Sequence, residues 1–153
     1  MKWVTSDLLQ YKTAKEYVDT LLIPLIPFQL SNDKVYEKDA FQREVLSLFV
    51  REVEKGLTGR ILLTPDYNYI ASKEPFVDEV DRLNAWIEHC HTQPFQYVFP
   101  ITFDSSWKKH EKNINGTLLW FPGLDSGDLE SKEMQSVIKG QVKQIVELIR
   151  TYW

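Results

Sequence analysis

A chain of 153 residues, 43% apolar and 26% charged, is long enough to bury a core without staples and has the balance of an ordinary soluble domain. Its formal charge of −4 supplies no broad basic surface, which argues against nucleic acid and anionic membranes as partners. With one cysteine, Cys90, it has neither an internal disulfide nor a cysteine-rich metal site.

The opening MKWVTSDLLQYKTAKEY lacks the apolar core and cleavage site of a signal peptide, and residues 6–17 read as a short helix. The first apolar run, LLIPLIPF at 21–28, has the length of a strand but carries two prolines, which cannot donate to a sheet ladder. No apolar run reaches the roughly 18 residues needed to cross a bilayer, so no membrane insertion and a cytoplasmic location are expected. After the loop QLSNDK, residues 36–57 form an amphipathic helix: Phe41, Val45, Leu48, Phe49 and Val53 share one face, and Gly56 suits a left-handed stop. RILLT at 60–64 is a second strand, with PDYNY at 65–69 as the loop after it. A second helix follows over 74–91, with Phe76, Val80, Leu83, Ile87 and Cys90 on its apolar stripe.

YVFPITF at 97–103 is the third strand and TLLWF at 117–121 the fourth. The last helix opens near SGDLESKEM, capped by Asp128 or Ser131, and runs to the end. Continuous rather than alternating hydrophobicity in the strands means that both sheet faces are covered. The expected fold is a single α/β domain over 1–153: a three-layer sandwich with a mostly parallel, four-stranded sheet of order 2-1-3-4 and helices on both faces. The connection 104–116 is short for a parallel return, so an antiparallel last strand stands as the alternative.

In such a sheet a ligand binds beyond the carboxyl ends of the strands where strand order reverses. That places Asp33, Asp66, Asp104 and Asp125 along one edge, with Ser105 and Ser106 beside Asp104. Clustered carboxylates hold a cation or share a proton, but Asp, Asn and Ser after a strand are equally what turns and helix caps require. No glycine occurs in the first strand-to-helix loop, and no G-x-G-x-x-G, P-loop or G-x-S-x-G motif occurs anywhere. No cofactor is therefore expected. His89, Cys90 and His91 do not form a metal site, because adjacent helical residues point about 100° apart. Trp107 and Trp153, near the ends of elements, are candidate anchors for a protein partner or plugs for the sheet ends. Self-association through an edge strand or the last helix is a further option.

MKW, YVDTLLIPLIPF, GRILLTPDYNY and LLWFPG together resemble the YpiF-like family of short, uncharacterised bacterial proteins, over nearly the whole chain. The resemblance implies a cytoplasmic protein of low-GC Gram-positive bacteria, encoded beside subunits of the menaquinol–cytochrome c reductase. It carries no family active site onto these residues. A non-catalytic, protein-binding accessory factor is the first expectation. A small-molecule-binding domain or a hydrolase- or transferase-like enzyme, with carboxylates at the strand ends, is the second.

Overall fold

The computed structural model describes residues 1–71, 74–124 and 126–153. A short helix, α1 (Thr5–Ala14), precedes the long strand β1 (Thr20–Phe28). Next come helix α2 (Asp33–Gly56) and two strand pieces, β2 (Ile61–Leu63) and β3 (Tyr67–Ile70). Helix α3 (Val77–Cys90) leads to β4 (Tyr97–Thr102), and the one-turn α4 (Ser105–Lys108) leads to β5 (Leu119–Trp120). Helix α5 (Lys132–Arg150) closes the chain, with the Ser131 hydroxyl accepting from the Met134 N–H at 3.2 Å as its cap.

Every strand pairing is parallel, and the order is β2-β1-β4-β5 with β3 also paired to β1. This is the order expected of the four apolar runs, and the antiparallel alternative is not realised: α4 and a 3-10 turn at Glu111–Asn113 return the chain in the same direction. The strand count differs from the expected four. β2 and β3 lie end to end along one edge of β1, separated by Thr64, Pro65 and Asp66. Residues 65–69 are thus not a strand-end loop, and most of them form a strand of their own.

The prolines explain this geometry. Thr20 donates to Arg60 and Phe28 accepts from Ala71, so the even residues of β1 face the β2–β3 edge. Pro24 then falls where β2 has ended and β3 has not begun. Pro27 faces β4 beyond its last paired residue, so neither missing N–H breaks a ladder bond. On β4, Val98 and Thr102 accept from Thr117 and Phe121, so Pro100 turns its donor-less nitrogen toward the β5 side. That shortens β5 to two residues of the five-residue apolar run. Gly116 lies so close there that a Cβ would sit 2.8 Å from the Val98 carbonyl oxygen.

Each sheet face buries its own core. Leu22, Ile26, Phe99 and Ile101 pack under α2 and α5, whereas Leu21, Ile23, Leu25 and Tyr67 pack under α1 and α3. Alternation along each strand divides the continuous apolar runs between the two faces. Helix α2 does not stop by a left-handed Gly56 as expected. The positive φ belongs to Gly59 (92°), while Gly56 lets the helix approach Val146 of α5, 3.1 Å from where a Cβ would stand. No helix among the described residues is long and apolar enough to cross a membrane.

Candidate functional site

The buried part of α2 begins at Val45; none of residues 33–44 is buried, so the first turns of the helix overhang the carboxyl edge of the sheet. A cleft of about 540 Å³ lies between this overhang, the end of β1, and the β4–α4 turn. β1 and β4 are the strands from which the chain order departs in opposite directions, the switch point of the sheet.

Helix α2 contributes Val35, Lys38, Asp39 and Gln42, spaced i, i+3, i+4, i+7 so that they share a face. They continue upward the stripe that lower down is Val45, Phe49 and Val53. From the β1 side comes Gln29, which is buried and organises the loop: its amide accepts from the Asn32 N–H at 2.9 Å and donates to the Asn32 carbonyl at 3.1 Å. Glycine is dispensable in this turn because a side chain closes it.

Asp104, Ser105 and Ser106 line the opposite wall. One Asp104 oxygen caps α4, accepting from the Ser106 N–H at 2.9 Å; the other accepts from the Tyr69 hydroxyl at 2.6 Å. Tyr69 is buried, and burial followed by the Asp104 charge drives its phenol far above the usual tyrosine range, so it stays a donor. Replacing Tyr69 by phenylalanine keeps the ring packing and removes this bond to a charged acceptor. A loss of about 1.5–3 kcal/mol in urea denaturation is expected; an unchanged midpoint would mean that the bond does not hold Asp104.

Asp39 faces Asp104 across the cleft. Burial, and then the Asp104 charge, raise its carboxyl above the ordinary value, against the opposing pull of a Gln29 hydrogen bond and of Lys38. Asp39 is the residue that reading the sequence missed. Its signal was present: a carboxylate and an amide, Asp39 and Gln42, on the stripe of an amphipathic helix.

The other candidates lie elsewhere. Asp33 is exposed in the first turn of α2, which Asn32 caps, and does not line the cleft. Asp66 sits between β2 and β3, paired with Arg43 at 3.3 Å. Asp125 lies outside the described residues. Asp128 receives the Glu130 N–H at 2.9 Å. The expectation that Trp107 anchors a partner is corrected by its burial: it is 0% exposed, wedged against Tyr69 and Phe76 with ring centroids 4.9 Å away in each case. Trp153 sits at the opposite edge of the sheet, donating to the Thr20 hydroxyl at 2.9 Å with Arg60 over its ring at 3.9 Å. The two tryptophans cannot form one surface.

The cleft is not an anion cradle. The Lys34 N–H of α2 and the Ser106 N–H of α4 are taken by Asn32 and Asp104, and of the three charged side chains lining the cleft two, Asp39 and Asp104, are carboxylates beside Lys38. Among the described residues no three His, Cys, Asp or Glu side chains converge as a metal set. What remains is a polar pocket whose two carboxylates suit hydroxyl or amino donors, with amide and hydroxyl groups of Gln42, Ser105 and Ser106 beside them.

No solved structure matches this chain significantly. The uncharacterized protein YpiF of Bacillus subtilis (strain 168) is 27% identical over 153 residues, 100% of this chain and 98% of that protein. A family model described as a protein of unknown function, DUF2487, matches residues 9–153. The chain therefore belongs to the DUF2487 family.

Proposed function

We propose that the protein binds a small polar molecule bearing hydroxyl or amino groups, held between the overhang of α2 and the β4–α4 turn. The observation that supports this reading is the pairing of Asp39 with Asp104 in a switch-point cleft whose helix N-termini are already capped. Binding rather than turnover fits the site. Both Asp104 oxygens already accept hydrogen bonds, from the Tyr69 hydroxyl and the Ser106 N–H.

The test is a thermal-shift screen of the full chain against sugars, polyols, amino sugars and amines, with phosphate and nucleotides as the contrasting set. At about a hundredfold excess over Kd a ligand adds about 2.7 kcal/mol, or roughly 5–10 °C for a chain of this length. Stabilisation by phosphate or nucleotides and by none of the donors would overturn the reading.

A second reading is a protein partner, in line with the respiratory setting that the family resemblance implies. It is favoured by apolar side chains at the rim of the same edge: Phe28, Leu30 and Ile70 are 55%, 75% and 52% exposed. Co-purification from native cells tests it. A stoichiometric partner lost on Leu30→Glu supports this reading, and a solitary protein removes it.

A further inference from the structure

On the other face of the sheet, between α1 and α3, lies a second basin of about 590 Å³. Its origin is a mismatch in packing. Helix α1 buries only Tyr11, so it lies loosely over the sheet. The inward stripe of α3, Val80, Leu83 and Ile87, sits on the strands, and the flank of the same helix that lines the basin includes the small Ala85 beside Trp86. Leu21 and Leu62 of the strands line it together with Trp3 and with Trp86 of α3. Trp3, 58% exposed, lines the basin from the N-terminal segment.

We propose that this basin is a separate binding site for an apolar small molecule carrying a flat ring. Its shape supports a small occupant. The α1 segment and α3 flank it, Pro65 of the β2–β3 break stands toward one end, and Thr92 to Phe95 of the α3–β4 loop stand at the other. Its volume is that of ordinary small-ligand pockets. Its chemistry supports an apolar, flat one: the lining includes the indoles of Trp3 and Trp86, the Tyr11 phenol and the Phe95 ring, with Tyr11 and Phe95 stacked at 6.1 Å. Cys90 lines the basin, and burial pushes its thiol up, so it stays neutral and the binding is non-covalent.

The probe is N-phenyl-1-naphthylamine, titrated into the folded full chain. Saturable binding of one probe per chain is expected, with Cys90 slowed about tenfold toward a disulfide reagent and affinity lowered about tenfold or more by Ala85→Trp, while Asp39→Asn leaves it unchanged. Because Cys90 is the only cysteine in the sequence, the thiol reaction reports on this basin alone. Where Ala85→Trp fails to fold, Cys90 protection in the unmodified chain decides by itself. Non-saturable binding, unprotected Cys90, or a folded Ala85→Trp variant with unchanged affinity overturns the proposal. So does a dimer in sedimentation that Ala85→Trp dissociates, since the basin would then belong to a second copy.

Discussion

Replacing Trp107 by alanine is expected to cost about 3–5 kcal/mol, lowering the melting temperature by roughly 6–20 °C. The indole is completely buried among Tyr67, Tyr69 and Phe76, with ring centroids at 6.5, 4.9 and 4.9 Å. No neighbour is flexible enough to fill the space that its removal opens, so the cavity adds to the lost transfer energy. The consequence extends to the cleft. Helix α4 is four residues long, and Trp107 is its one buried side chain. A helix that short has no stability of its own, so without this anchor the Asp104 cap loosens and the wall carrying Ser105 and Ser106 loses its position. Trp153→Ala gives the contrast. Its ring is half-buried at the far edge of the sheet, held by Thr20 and Arg60, and its loss is expected to cost about half as much without touching the cleft. Urea denaturation of both variants checks the pair, and a Trp107→Ala midpoint close to that of the parent chain would refute the role given to the indole.

The chain order of the sheet was legible because the four apolar runs are continuous and each is followed by a helix or a polar connection. The fifth strand piece was not. Tyr67–Ile70 alternates buried and exposed over four residues, too short a stretch for a period of two to stand out, and Pro65 before it reads as a strand ending. That misreading carried Asp66 to the ligand edge, whereas it lies part-way along the sheet with Arg43. Asp104 was legible because a strand end in a parallel sheet fixes its position almost alone. Its partner was not: whether Asp39 meets Asp104 depends on how far α2 runs past the sheet. That length is set by where Asn32 caps the helix and where Gln29 closes the loop, both side-chain choices made in three dimensions.

Asp39→Asn is expected to separate binding from stability. In the ligand-free protein the Asp39 carboxyl is held above its ordinary value by burial and by Asp104, so its ionised form is disfavoured in the fold. A carboxyl raised in this way contributes stability that is complete below its unfolded pKa, about 3.9, and is lost as pH rises through the folded value. At neutral pH the parent chain therefore bears the cost of burying an ionised carboxyl that faces Asp104, only partly offset by Gln29 and Lys38, and asparagine removes that cost while still accepting from Gln29. The variant is expected to melt higher than the parent at pH 7, with the gap closing as pH falls toward the ordinary carboxylate range. Its affinity for a hydroxyl- or amine-bearing ligand should fall by roughly 10- to 150-fold, the loss of one charge-assisted hydrogen bond of about 1.5–3 kcal/mol. Asp33→Asn and Asp66→Asn are the controls. One carboxylate is exposed in the first turn of α2, and the other is in a surface pair with Arg43, so neither should move the affinity. Melting curves from pH 4 to 8 and one binding isotherm per variant decide the matter. A destabilised Asp39→Asn with unchanged affinity would make Asp39 a structural residue and leave the cleft without its second carboxylate, whereas higher stability with lost binding is the signature of a group kept under strain for a ligand.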